Sequence, residues 1–321
     1  EETLKMLNIY ADFARDYLAL PVIQGEKTES EKFPGAVTTY CIEAMMQDRK
    51  ALQSGTSHFL GQNFAKASEI RFQNRKGEIE YAWTTSWGVS TRLIGAIIMA
   101  HSDDNGLVLP PKISPSHIAV IPIYRDAEEQ KKVMTFAEKI QNSLKGLYLD
   151  DVPLYTELDT RDMTSSERNW YWIKKGIPLR LEIGPRDIVK DSVMLARRDK
   201  EPKEKHSVNI DNLADYILNT LTEIQMGYYQ KALDFKNKWT IDINDKEEFY
   251  RFFTPENIEE PEISGGFANS YWCGNPSCEE KIKEDLKVTI RCIPFAAKEE
   301  SGKCICCGKP STHRVIFAKA Y

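Results

Sequence analysis

Apolar positions recur along the chain in three rhythms, and each predicts a different element. At the start, Leu4, Leu7, Ala11, Ala14 and Leu18 fall at helical spacing until Pro21 interrupts, which predicts an amphipathic helix already under way near Glu1. The run WGVSTRLIGAIIMAH, Trp87 to His101, is more apolar: Val89, Leu93, Ala96, Ile97 and Ala100 line one side, with Ile94 and Ile98 close by. That predicts a buried helix, and Arg92 inside it needs an anionic partner, because a buried guanidinium is costly alone. HIAVIPIY (117–124) is short, continuous and β-branched, the pattern of a buried strand.

The same reading divides the chain into three regions. The first, 1–112, carries the opening helix, an extended segment at GEKTESEKFPGA, a helix from Thr38 to Asp48, strand-like stretches and the Trp87–His101 run, and Pro110-Pro111 closes it. The second, 113–211, opens on HIAVIPIY. An amphipathic helix follows with Val133, Phe136, Ala137, Ile140 and Leu144 on one face, ending at Gly146, and PLYTELD then reads as a strand. Thr164 and Glu167 stand at capping-box spacing, with Gly176 where a C-terminal cap would lie. LRLEI (179–183) alternates, with Leu179, Leu181 and Ile183 inward and Arg180 and Glu182 outward, so the region reads as a small α/β domain with a parallel or mixed sheet. ARRDKEPKEKH is a solvated connector, with Arg197, Arg198, Lys200 and Lys203 in water. The third region, 212–321, carries a long amphipathic helix from about Asn212 to Lys236 and a cysteine-bearing tail.

Length supports more than one core: the 321 residues, 41% of them hydrophobic, exceed the roughly 250 to 300 at which single cores stop growing. The net charge of -5 means that a nucleic-acid partner would need a local basic patch. No window reaches the ~18 to 20 apolar residues of a membrane-spanning helix. No signal pattern opens the chain, which starts at Glu1 and reads as lacking an upstream part.

Six of the seven cysteines lie in the tail, as CGNPSC, Cys292 and CICCG. A C-x4-C pair and a C-x2-C-G pair can close a tetrahedral four-thiolate site, and the ligand set expected is Cys273, Cys278, Cys304 and Cys307, with Cys306 as an alternate fourth ligand. Disulfides or free buried thiols are the alternative. Paired cysteines in an otherwise cysteine-poor chain favour metal, and four protein ligands leave no open position, so zinc here would be structural.

Catalytic chemistry would lie in the first region. ALQSGTSHFLGQNFAKA (51–67) is dense in short polar side chains, and Gln53, Thr56 and His58 fall as on a strand with one face toward a ligand; a polar turn with a satisfied core histidine is the alternative. Ser86, Trp87 and Gly88 precede the helix, where glycine lets a ligand approach the backbone. Ser90 and Thr91 occupy its first turn, where N–H groups and the dipole favour an anion, and Arg92 adds a fixed positive charge. A phosphate chain satisfies this arrangement, as would a buried ion pair from Arg92 to Glu43, Asp48 or Asp103. In the second region Arg180, Glu182, Arg186 and Asp187 pair arginine with carboxylate, which suits reading unpaired base edges; a solvated edge strand with surface ion pairs is the alternative. Arg161, Arg168 and Lys174 could add contacts to a nucleic-acid backbone.

GEKTESEKFPGA, ALQSGTSHFLGQNFAKA, TSWGVSTRLIG and GLVLPP together resemble class II prolyl-tRNA synthetases of the archaeal and eukaryotic type. WGVSTRLIG resembles the third signature motif of that class, GIPLRLEIGPRD the family's anticodon-binding domain, and CGNPSC, CICCG and the final FAKAY its C-terminal zinc-binding-like domain. The resemblance implies an α/β (α+β) multidomain fold: a partial antiparallel-sheet catalytic domain, a mixed α/β anticodon-binding domain and a C-terminal α/β domain. It implies that Gln53, Thr56, Ser90, Thr91 and Arg92 hold ATP with its Mg²⁺, that Arg92 meets the phosphates, and that His58, Ser86, Trp87 and Gly88 form the proline pocket. It further implies tRNA(Pro) as partner, with Arg180, Glu182, Arg186 and Asp187 reading the guanines of its anticodon, and a cytoplasmic homodimer without a membrane role. The family's first two signature motifs lie upstream of these residues, which alone are therefore expected to be inactive. A non-catalytic tRNA-binding protein derived from a synthetase is the rival reading, and the intact QSGTSH and GVSTR argue against it. Nothing between Leu179 and Asp187 favours a structural zinc protein without an RNA role.

Overall fold

The computed structural model describes residues 1–256, 263–297 and 299–321. The chain groups into two compact units: Glu1–Arg15 with Leu20–Ala100 and Leu233–Tyr321, and Asp16–Ala19 with His101–Ala232. The first expected region and most of the third thus share one unit, so the contacts do not follow the chain order on which the three-region reading was built.

The first unit is built on a sheet of eight strands among the described residues. In spatial order they are Thr240–Asp242, Phe267–Tyr271, Arg314–Ala318, Thr289–Pro294, Val22–Glu26, Thr38–Met45, Ala51–Gly61 and Thr84–Gly88. All neighbours are antiparallel except the first pair. The join between early and late sequence is the pairing of Gly25 with Pro294 and Glu26 with Ile293. Glycine is required there: a Cβ on Gly25 would sit 2.5 Å from the Ile293 carbonyl oxygen and 2.7 Å from Cys292 Cβ. Under the join lies a buried charge cluster. Glu43, fully buried, accepts from Lys27 Nζ at 2.8 Å and from Arg291 Nε and Nη2 at 3.2 Å.

The second unit has a sheet of five strands among the described residues, ordered Thr156–Leu158, Ile118–Pro122, Leu179–Ile183, Ser192–Arg197 and Lys205–Asn209. The first three are parallel and the last two add antiparallel. The helix Ala127–Ser143 buries Val133, Phe136, Ala137 and Ile140 as its spacing predicts, and Asp126 caps it by accepting from the N–H groups of Glu128 and Glu129. The helix Ser165–Lys175 has the expected capping box between Thr164 and Glu167, and Gly176 ends it at φ 75°.

Three expectations are corrected. The segment Thr38–Asp48 is not a helix: Thr38–Met45 is a strand flanked on both edges, as its Thr, Tyr, Cys and Ile content suits. The helix in the Trp87–His101 run begins only at Arg92 and is not buried all round, because Ile94 and Ile98 are 61% and 42% exposed. Arg180 and Glu182 do not face water. Their strand is central, so all five positions are buried and the in–out alternation misled.

Candidate active site and cysteine cluster

The predicted nucleotide and amino-acid residues gather at the edge of the larger sheet. Strand Ala51–Gly61 carries a bulge: Gly55 pairs with Ile42, but Gln53 pairs with Glu43, leaving Ser54 unpaired. The extra residue shifts the alternation, so Gln53, Thr56 and His58 are partly exposed while Ser54, Gly55 and Ser57 are buried. Ser57 Oγ donates to the Thr3 carbonyl of the opening helix at 2.8 Å, which fixes the covered face. On the neighbouring strand Gly88 pairs with Thr56 and Ser86 with His58, placing them on the open face. Trp87 pairs with Ser57, so its side chain belongs to the covered face, although it remains 47% exposed at the edge. The expected trio Ser86, Trp87 and Gly88 is therefore split between the two faces.

Arg92, Ser90 and Thr91 are exposed at the start of the helix Arg92–His101. Ser90 Oγ accepts from the Arg92 N–H at 3.3 Å, a capping contact. Among the described residues the Arg92 guanidinium meets only the Gln53 carbonyl, at 3.4 Å. The carboxylates that could have neutralised it have other partners: Glu43 holds Lys27 and Arg291, Asp48 holds Lys50 and Tyr321, and Asp103 holds Arg198. Arg92 is thus an exposed cation beside Gln53, next to the strand that carries Thr56 and His58. The expectation of a buried guanidinium is corrected.

His58 is oriented from beneath. Its Nδ1 lies 3.0 Å from Thr39 Oγ1, and Thr39 Oγ1 also accepts from the Phe33 N–H at 3.0 Å. The Phe33 ring lies 4.8 Å from the imidazole, whose pKa burial lowers. Sequence reasoning did not assign Thr39 or Phe33. The only signal was their place in or beside GEKTESEKFPGA, a segment read for its resemblance and not for what it touches.

In the second unit Arg180 Nε donates to Asn169 Oδ1 at 3.1 Å, while its Nη1 and Nη2 are buried with no partner among the described residues. Burial pulls the guanidinium down to about 10, still charged at neutral pH. Asn169 and Glu182 line a cleft of about 650 Å³ together with Ser165, Trp170, Lys203 and Lys205. Glu182 pairs with Lys205 at 2.5 Å. Arg186 is exposed, whereas the Asp187 carboxylate accepts from the Gly184 N–H at 2.8 Å and holds the turn. Two arginines expected at the surface are structural. Arg168 donates to the Asp159 and Pro122 carbonyls, and Arg198 to Asp103 and to the Leu107 and Ile173 carbonyls, both from buried positions. Arg161 pairs with Asp159 and lies over Tyr171, and Lys174 is exposed.

The tail brings Cys273, Cys278, Cys304 and Cys307 together, with all four sulfurs within 4.8 Å of one another. Sγ of Cys273 lies 3.8 Å from that of Cys278 and 3.7 Å from that of Cys307. A disulfide needs about 2.05 Å. Four thiolates at about 2.3 Å from a tetrahedral zinc lie about 3.8 Å apart, so the donor set and its spacing fit that ion. The Lys309 backbone N–H holds the Cys307 thiol down at about 7, as a knuckle over a thiolate would. Cys306 is outside the cluster and packs against the apolar core of this part of the sheet.

With this geometry established, comparison with known proteins gives the class first. Residues 117–220 match the family described as anticodon binding domain, and residues 259–321 that described as prolyl-tRNA synthetase, C-terminal. The chain therefore contains an anticodon-binding domain and a prolyl-tRNA synthetase C-terminal domain. Over its whole length it is 50% identical to "Proline--tRNA ligase 2" of Anaeromyxobacter dehalogenans, 49% to "Proline--tRNA ligase" of Protochlamydia amoebophila and 48% to that of Bdellovibrio bacteriovorus. It covers 64%, 63% and 63% of those proteins, a little under two thirds of each. No described helix is long and apolar enough to cross a membrane.

Proposed function

We propose that this chain is the C-terminal part of a prolyl-tRNA synthetase, a class II ligase of the archaeal and eukaryotic type by its motifs, although the relatives named above are bacterial. The observation that carries the reading is the edge of the larger sheet, where Gln53, Thr56, His58, Ser86 and an exposed Arg92, without a carboxylate partner among the described residues, converge beside a helix start. In this reading ATP lies along Gln53, Thr56, Ser90 and Thr91, with Arg92 against its phosphates and Mg²⁺ shared among them. Proline lies over His58, Ser86 and Gly88, with Trp87 at the rim. An oxygen of the proline carboxylate attacks the α-phosphorus, the bond to the β-phosphate breaks, and pyrophosphate leaves. The terminal ribose hydroxyl of tRNA(Pro) then attacks the prolyl carbonyl and AMP leaves. The chain's residues position the reactants and stabilise charge, and none acts as a nucleophile.

The same reading assigns 1–112 to a partial catalytic domain, 113–211 to the anticodon-binding domain and 212–321 to the C-terminal domain. Arg180, Glu182, Arg186 and Asp187 read the anticodon, with Glu182 lining the cleft beside Asn169, and the four cysteines hold a structural zinc. The working enzyme is a cytoplasmic homodimer, and these residues alone do not turn over. The test is proline-dependent ATP–pyrophosphate exchange on this chain and on the chain extended to the length of its relatives. Exchange with proline in the extended chain alone is expected. Exchange with no amino acid in either would favour the non-catalytic tRNA-binding rival.

A further inference from the structure

Between the strands Val22–Glu26 and Thr38–Met45 the chain makes an excursion that starts at two buried residues, Lys27 and Thr28. The Thr28 carbonyl accepts from the N–H groups of Glu31 and Lys32, at 3.1 and 2.9 Å, so the chain turns sharply there. Two hydroxyls from this turn converge on one carboxylate. Thr28 Oγ1 donates to Glu279 Oε1 at 3.0 Å, and Ser30 Oγ donates to Oε2 at 2.5 Å. Glu279 is 5% exposed and lies in the first turn of the helix Pro276–Leu286, where the dipole favours its charge. A buried carboxylate with both oxygens engaged makes charge-assisted bonds, the stronger kind, and is expensive to leave without them.

The far end of the excursion meets His58. The Phe33 N–H occupies one lone pair of Thr39 Oγ1, and Thr39 is 2% exposed. The hydroxyl keeps its proton and a second lone pair for His58 Nδ1 at 3.0 Å, so it holds that ring nitrogen in either tautomer. The placement of Phe33, by its N–H on Thr39 and by its ring against the imidazole, therefore sets the position and tilt of His58.

We propose that Glu279 is a positioning residue for the amino-acid pocket: by holding Thr28 and Ser30 it fixes the 27–36 excursion, and through Phe33 and Thr39 it fixes His58. The proposal rests on the reading of His58 as part of the proline site. Its first test needs no turnover. In this chain, the ¹⁵N signals of the His58 ring and the hydrogen exchange of the Phe33 amide are compared in wild type, Glu279→Ala and Thr39→Val. Glu279→Ala is expected to move the ring signals as Thr39→Val does, and to speed Phe33 exchange by about tenfold or more, while His313 in the same unit keeps its signals. Unchanged His58 signals in Glu279→Ala, with Thr39→Val moving them, overturn the proposal. Should Glu279→Ala not fold, Ser30→Ala removes half of the same clamp from the loop side and is held to the same outcomes.

The second test uses the chain extended to its relatives' length. Glu279→Gln should raise KM for proline about tenfold with KM for ATP unchanged. Equal changes for both substrates, or none, overturn the positioning role. A wild-type chain without proline-dependent exchange would remove the amino-acid reading of the pocket, and the ring signals would still decide whether Glu279 sets His58.

Discussion

Replacing Glu43 by Gln tests the account of the sheet most directly. Glu43 is the only anion between Lys27 and Arg291 among the described partners, and the three side chains are 0%, 2% and 9% exposed. The wild-type cluster carries one excess positive charge, and Glu43→Gln leaves two cations facing a neutral amide of the same shape. Breaking a buried pair in this way costs about 3 to 5 kcal/mol, because the charges left behind cannot be solvated. Domains hold only about 5 to 15 kcal/mol in all, so the variant should be severely weakened. Lys27→Met instead leaves a neutral Glu43–Arg291 pair and loses the two bonds of the ammonium, to Glu43 and to the Arg291 carbonyl, a cost of about 2 kcal/mol. The double variant should therefore be more stable than Glu43→Gln alone. Two compact units need not unfold together, so the assay is native-state amide exchange in Val22–Glu26 and Thr289–Pro294, alongside urea unfolding. A Glu43→Gln cost below about 1 kcal/mol, or strict additivity in the double variant, would refute the claim that the cluster is electrostatically coupled.

Other outcomes follow from the sites. Arg92→Ala should abolish adenylate formation in the extended chain and leave tRNA binding nearly intact. Because Arg92 is exposed with one long bond, unfolding free energy should change by no more than about 0.5 kcal/mol, and a larger loss measured in urea would make it a folding residue. Removal of metal by a strong chelator, or Cys307→Ala, should loosen the 267–318 portion of the sheet, as read by faster amide exchange. Metal analysis showing no zinc at stoichiometric level in fresh protein would sink the assignment. Burial pushes His117 down to about 4 from an ordinary 6.5, and its Nδ1 accepts from the Tyr155 N–H. The unfolded chain thus takes up the proton first as pH falls. His117 contributes its full stability above about pH 6.5 and loses it progressively toward pH 4, about 3 kcal/mol in all. Buried His101, also lowered, adds with the same sign. His117→Gln should flatten urea midpoints across that window, and an unchanged slope would refute the assignment.

Local signals were readable where local physics decides. The Thr164–Glu167 box, the Gly176 cap and the buried face of Ala127–Ser143 follow from spacing alone and form as read. Strand Leu179–Ile183 forms as read, but the facing of Arg180 and Glu182 was misread for a clear reason: a polar residue at alternate positions looks the same whether it meets water or Asn169 and Lys205, and only the tertiary partners differ. The helix expected over Thr38–Asp48 failed because its apolar residues fit both periods, and two flanking strands decided for extension. At the candidate active site, Gln53, Thr56, His58 and Arg92 were legible as residue types. The bulge at Ser54 that aligns the first three, and the separation of Trp87 from Ser86, were not. Both depend on register, which short-range pattern does not encode. The clamp from Glu279 was invisible because its two halves are joined by nothing in the sequence between them.

The pairing of Gly25 with Pro294 also bears on how the protein is made. The strands from Val22–Glu26 to Thr84–Gly88 are synthesised well before Thr289–Pro294, the strand that covers one side of Val22–Glu26. Until then the growing chain carries an open strand edge and a Lys27–Glu43 pair that lacks Arg291. Residues 101–232, which form most of a unit of their own, can fold during that wait. Such long-range closure is slow, and an unpaired edge in the interim invites association with other chains. Truncation anywhere before Thr289 should therefore yield aggregates from the first hundred residues, while the unit in the middle of the chain stays soluble.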